Sequence, residues 1–177
     1  MQFTLTELQN EIKENSNKVL KENIDLLETI QKVDDNCRID KKVWDLVIDQ
    51  GWLALDVPEE QGGLGFSNTD TAILSEVLGY YMPIIPIFSS GVVFKHILMN
   101  SKKEKKEELL PEIMSGVKIG TFAVYESDKY EINQDTINTK LTTLDSGFLL
   151  SGNKKYVMFG DVSDYIAVLA KHEDGFK

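Results

Sequence analysis

The sequence predicts an α+β chain, helical over residues 1–117 and β-rich over residues 118–177. Three observations predict it. Before Gly116, apolar residues recur every three to four positions in several stretches. After Gly116 the spacing shortens towards two, and β-branched and aromatic residues crowd together. Glycine and proline, 12 and 4 in 177 residues, punctuate the stretches rather than pervade them, which suits one folded chain with real turns.

Each element has a local justification. Residues 4–32 read as one long amphipathic helix, with Leu5, Leu8, Ile12, Val19, Leu26, Leu27 and Ile30 as its apolar stripe. Thr4 or Thr6 caps its start. A second helix covers 41–50, with Asp40 as N-cap and Gly51 at its end. Pro58, Gly62, Gly63 and Gly65 predict a loop over 56–66, the glycines serving positive φ. A third helix runs from Ser67 or Thr69 to Tyr81 and is ended by Pro83 and Pro86. A fourth spans 89–99. A fifth spans 101–114, with Pro111 near its end and Gly116 closing it. Strands are predicted at 119–126, 136–143, 148–151, 156–159 and 165–170. Ile137, Thr139 and Leu141 share one side of the second, and Asp145-Ser146-Gly147 makes the turn into the third.

Charge and composition narrow the function. A net charge of −10 supplies no basic footprint for nucleic acid or an anionic membrane surface. The single cysteine, Cys37, cannot form an internal disulfide or a Cys-rich zinc site, and it suits the reducing cytoplasm. The N-terminus lacks the charged, apolar and small-residue succession of a signal peptide, and no run approaches the ~18 apolar residues of a membrane span. His96 and His172 are too few and too distant for a metal site. No Gly-x-Ser-x-Gly elbow is present. Gly62-Gly63-Leu64-Gly65 lacks both the P-loop lysine and the dinucleotide spacing, so it reads as a turn. The mixed-sign run 102–108 reads as a solvated helix face. Glu59 and Glu60 are adjacent in a loop and point apart, so they do not form an acid–base pair. Trp52 reads as core packing.

The order of segments carries more. Gly51-Trp52-Leu53-Ala54-Leu55-Asp56-Val57-Pro58-Glu59-Glu60-Gln61-Gly62-Gly63-Leu64-Gly65 resembles the GW-x-x-L-x-x-PEE-x-GG-x-G signature of the acyl-CoA dehydrogenase family. Leu110-Pro111-Glu112-Ile113-Met114-Ser115-Gly116 looks like that family's LP-x-x-x-x-G helix end. Gly120 to Glu126 looks like the first strand of its middle domain, and Leu150-Ser151-Gly152-Asn153-Lys154-Lys155-Tyr156-Val157 resembles its LNG-x-K-x-W-I segment. The resemblance spans residues 3–171. It implies an all-α domain over 1–117 followed by a truncated, antiparallel, barrel-like β domain over 118–177.

It also implies a chemistry: FAD-dependent α,β-dehydrogenation of an acyl-CoA or acyl-carrier thioester, in which a glutamate removes the α-proton. By resemblance, Val124, Tyr125 and Glu126, with Tyr156, Val157 and Met158, contact the flavin, and Ser127 contacts substrate. The family's Thr-Glu-Pro is Tyr125-Glu126-Ser127 here, and its Trp-Ile-Thr or Trp-Ile-Ser is Tyr156-Val157-Met158, so a thioether replaces a hydroxyl. The usual glutamate base belongs to a C-terminal helical bundle outside these residues, so no catalytic residue is assigned within them. The 177 residues alone are therefore expected to bind FAD weakly or not at all, to be inactive, and to form homo-oligomers or join a partner chain that supplies the missing helices. The alternative is a non-catalytic or split relative that acts as an interaction module.

Overall fold

The computed structural model describes residues 4–128, 132, 133, 135–173, 175 and 176. The chain divides into two compact units. The first is built from residues up to Ile85 together with Met114–Val117, the second from Pro86–Ile113 and from Lys118 onwards.

The first unit is helical. Helix α1 is Glu7–Asn23, started by a reciprocal cap in which Thr6 Oγ1 accepts the Gln9 N–H and Gln9 Oε1 accepts the Thr6 N–H. The helix does not continue to residue 32. It ends at Ile24, and α2, Leu26–Asp34, begins afresh. The Asp25 carboxylate accepts the N–H groups of Leu27 (2.7 Å) and Glu28 (3.2 Å), so the side chain replaces the helical ladder at that point. Leu26, Leu27, Ile30 and Val33 face outward, while Thr29 is the buried residue of α2.

Helix α3, Lys41–Asp49, is capped by Asp40, whose carboxylate is also paired with Lys32 at 2.7 Å. Gly51 follows with φ 70°, the left-handed exit that only glycine adopts freely. Trp44 on α3 is in the core, whereas Trp52 is half-buried in the first of two short 3₁₀ turns, Trp52–Ala54 and Glu59–Gln61. Gly62 and Gly65 have positive φ, as predicted, but Gly63 does not. Gly63 is needed for a different reason: the Val57 carbonyl occupies the place where its Cβ would sit. Helix α4, Asn68–Tyr81, starts with a Ser67–Asp70 capping box and packs on α1 through Gln9–Asp70 and Tyr81–Asn17 hydrogen bonds. Leu20, Val47, Leu53 and Val57 are the most deeply buried apolar residues of this unit.

The second unit begins with a π-helical segment, Ile87–Phe94, that runs into α5, Lys95–Met99. The predicted helix over 89–99 is therefore wound wide for most of its length. Helix α6, Lys103–Met114, carries Pro111 towards its C-terminal end. The strands are β1 Gly120–Ala123, β2 Lys140–Leu144, β3 Gly147–Ser151, β4 Tyr165–Val168, β5 Lys171–His172 and β6 Gly175–Phe176. β1 pairs with β4 in parallel, Gly120 opposite Tyr165. The other sheet has the order β3-β2-β5-β6, with β2–β3 and β5–β6 antiparallel and β2–β5 parallel. The sheets are thus small and mixed rather than wholly antiparallel, and no barrel closes among the described residues.

Gly120 lets the Phe94 ring approach β1, and that ring stacks on Tyr165 at 6.3 Å. The Gly120 N–H donates to Ser90 Oγ at 3.0 Å. The predicted strand over 156–159 does not form. Tyr156 (φ 55°) and Phe159 (φ 53°) are left-handed, which extended pairing does not allow. No helix among the described residues is long and apolar enough to cross a membrane.

Candidate functional site

Two segments singled out in the sequence, 124–127 and 156–158, lie side by side in the second unit. The Lys155 N–H donates to the Tyr125 carbonyl at 2.7 Å. Lys154 Nζ donates to the Val124 carbonyl at 3.0 Å and to Glu126 Oε1 at 2.8 Å. At the other end, Thr121 Oγ1 donates to the Met158 carbonyl at 2.6 Å. Segment 154–158 is therefore pinned to β1 and its C-terminal extension near both of its ends.

The Glu126 carboxylate turns inward. It accepts from the Asn138 N–H (2.6 Å), the Thr139 N–H (2.8 Å), Thr139 Oγ1 (2.6 Å) and Lys154 Nζ. This is also why the second predicted strand starts at Lys140 and not at 136: the amides of 138 and 139 are bonded to a side chain instead of a neighbouring strand. The side chains of Glu126 and Lys154 are each 8% exposed. Burial pushes the Glu126 carboxyl up, but the Lys154 ammonium, the Thr139 hydroxyl and N–H and the Asn138 N–H outweigh it and bring the pKa down to about 2.

The remaining predicted residues are arranged around this pair. Val157 lines a groove of about 510 Å³ together with Ala123, Leu150 and Ile166. Tyr156 and Met158 are 60% and 44% exposed. The Tyr156 hydroxyl donates to Asp128 Oδ1 at 2.6 Å, and Lys155 Nζ reaches the same oxygen at 3.2 Å. Those two contacts, the tyrosine's first, hold the Asp128 carboxyl below its ordinary range. Val124, Tyr125 and Ser127 are half-buried.

A flavin ring needs a flat, largely apolar face with backbone beside it. Tyr156 and Met158 are both exposed, and the Lys155 N–H to Tyr125 carbonyl bond sets the chain at Tyr156 beside 124–126, so an aromatic side chain with backbone beside it is available for such a ring. They add no free side-chain hydroxyl, because Met158 has none and the hydroxyl of Tyr156 is bonded to Asp128.

Sequence reasoning missed Lys154, Thr139, Asp128 and Gly152. Gly152 matters through space: a Cβ there would run into the Thr139 side chain and Cα. Lys154 falls on the lysine of the quoted motif and Lys155 on a variable position, but the motif does not say that the Lys154 ammonium turns in to Glu126 and the Val124 carbonyl.

A helical N-terminal part followed by small mixed sheets is an acyl-CoA dehydrogenase-like architecture. The family profile for the acyl-CoA dehydrogenase N-terminal domain matches residues 6–117. The chain belongs to the acyl-CoA dehydrogenase family. The very long-chain specific acyl-CoA dehydrogenase of Rattus norvegicus, a mitochondrial protein, is 31% identical over 128 residues, 68% of this chain and 19% of that one. Among solved structures, the ChsE4–ChsE5 complex from Mycobacterium tuberculosis superposes with a TM-score of 0.87 at 24% identity, covering 99% of this chain and 47% of that chain. Butyryl-CoA dehydrogenase from Megasphaera elsdenii gives 0.81 at 22% identity over 98% of this chain and 46% of that chain. At these identities the structural matches establish the fold. The chain spans about a fifth of the rat protein and a little under half of the two solved chains.

Proposed function

We propose that these residues form the helical and β portions of an FAD-dependent enzyme that dehydrogenates the α,β-carbons of an acyl thioester. The observation that carries this reading is that segments 124–127 and 156–158 lie side by side, joined by the Lys155 N–H to the Tyr125 carbonyl. Family membership supports it. In this reading Val124 and Tyr125, with Tyr156, Val157 and Met158, hold the flavin, and Ser127 lies towards the thioester. The flavin, when bound, supplies the hydride acceptor. Tyr156 and Met158 exclude water from one face of the ring, and the hydroxyl of Tyr156 fixes its own ring through Asp128.

Glu126 is not the base of this proposal. A general base must be free to take a proton at working pH, and this carboxylate is filled by four donors and held at about 2. The lone Cys37 supports a reducing, cytoplasmic setting.

The test is to express the full natural polypeptide that carries these residues, with and without Tyr156→Ala, and to record its flavin absorption and its reduction of a dye by acyl-CoA. A yellow, active wild type and a variant retaining about a tenth of the flavin are expected. A wild type that takes up no FAD when it is supplied refutes the reading.

A second reading, as an interaction module, draws on the β2–β3 hairpin. Phe148, Leu149 and Leu150 are 70%, 53% and 47% exposed in succession, a run that is apolar on both faces of a strand.

A further inference from the structure

We propose that Glu126 and Lys154 are positioning residues, a buried ion-paired clamp that fixes the register of segment 154–158 against the end of β1 and so sets the surface presented by Tyr156 and Met158. What that surface binds rests on the reading above. The clamp itself goes beyond it, because the polar groups of both residues are turned into the protein.

The geometry is specific in three ways. Glu126 gathers donors from two other parts of the chain, 138–139 and Lys154. Lys154 spends its ammonium on the carbonyl of Val124 and the carboxylate of Glu126, two residues apart on one strand extension. The next residue, Lys155, sends its side chain outward to Asp128. A slip that put Asn153 against Glu126 would leave a buried carboxylate without its cation, and one that put Lys155 there would take the lysine away from Asp128; either slip would move Tyr156 off its backbone position.

Charge alone is a poor argument for stability here. A buried pair is often replaceable by apolar residues of similar volume without loss. What a pair supplies and apolar residues do not is direction: in the observed register Lys154 reaches Glu126 while Lys155 reaches Asp128, and setting a register is the best-attested use of such groups. The segment needs that direction. Tyr156 has φ 55°, a conformation that a non-glycine residue adopts only when its surroundings hold it. Lys154 and Lys155 hold it on one side, and the Thr121–Met158 bond on the other. Gly152 completes the arrangement by letting Thr139, which donates to Glu126, come up against the chain just before the clamp.

The experiment compares Glu126→Gln, Lys154→Met, their double variant and Lys154→Arg in the full natural polypeptide. Three readouts are taken: melting temperature, amide exchange at Lys155 and the affinity for FAD, from titration followed through the flavin absorption band. Each neutralising single variant is expected to melt lower and to exchange the Lys155 amide at least tenfold faster, with the β1 amide of Phe122 unchanged. The double variant leaves no unpaired charge, so it is expected to regain much of the melting temperature while the Lys155 amide stays at least tenfold faster and the flavin is held at least tenfold more weakly. Lys154→Arg keeps the charge and is expected to stay within threefold of wild type. A double variant with wild-type protection at Lys155, or single variants that leave that amide unchanged, overturns the clamp. If the wild type takes up no flavin, the reading above fails, and amide exchange alone decides the clamp.

Discussion

Glu126 carries a pronounced pH dependence. Its pKa falls from 4.5 to about 2 on folding. Lowered carboxyls contribute stability that is complete above the unfolded value and lost as the pH drops through the folded one. Acid titration should therefore remove roughly 3 kcal/mol between pH 4.5 and 2, and the melting curve of Glu126→Gln should be flatter across that window. A wild type and variant that lose stability in parallel there would contradict the assignment. Gly63 makes a second residue-level prediction. Gly63→Val drives a side chain into the Val57 carbonyl, an overpacking that costs about 1–3 kcal/mol, visible as a lower melting temperature. The sequence marked Gly63 as structural but for the wrong reason. Positive φ is a local property that turn chemistry suggests, whereas the approach of Val57 is tertiary and leaves no trace in the loop's own residues. The role of Lys154 was hidden in the same way, since the motif marks its position while its partners, Glu126 and the Val124 carbonyl, belong to the tertiary fold.

Helix and strand boundaries follow from which partner each amide finds. The break between α1 and α2 is the work of Asp25, and Asp25→Ala should cost about 1 kcal/mol and speed amide exchange at Leu27 and Glu28, with α1 unaffected near Thr6. Equal protection in the variant would show that the break has another cause. The capped helices α3 and α4 were readable because Asp40 and Ser67 carry their own start signals, and the alternation of Ile137, Thr139 and Leu141 correctly placed 137 and 139 inside. The failures have a common origin. Residues 156–159 are aromatic, β-branched and apolar, which is strand composition, but composition does not see a backbone held left-handed by bonds to a distant strand. The π-helical winding of Ile87–Phe94 is likewise invisible to a three-to-four spacing. Of the candidate site, the sequence located the two segments through resemblance, while their contact and its buried pair belong to the tertiary structure.

Taken as a whole, the chain leaves apolar surface on show. The hairpin residues Phe148, Leu149 and Leu150 and the outward stripe of α2 at Leu26, Leu27, Ile30 and Val33 are exposed, and β3 is the edge of its sheet. Exposed apolar edges recruit other chains. The 177 residues alone are expected to associate as their concentration rises, and Leu149→Lys should shift light scattering towards the monomer; a wild-type chain that stays monomeric at high concentration would contradict this. The interleaving of the two units has a consequence for synthesis. Met114–Val117 return to the first unit after Pro86–Ile113 have been laid down in the second, and Gly116 lies against Ile48 and Leu53. A growing polypeptide cannot finish its first unit when residue 85 leaves the ribosome. It must wait for residue 117, a delay of the order of seconds at ~5–20 residues per second, with Ile48 and Leu53 lacking their last neighbour. During that interval a chaperone has something to hold, and stalling between 85 and 117 should leave a nascent chain more open to protease than stalling a few residues later.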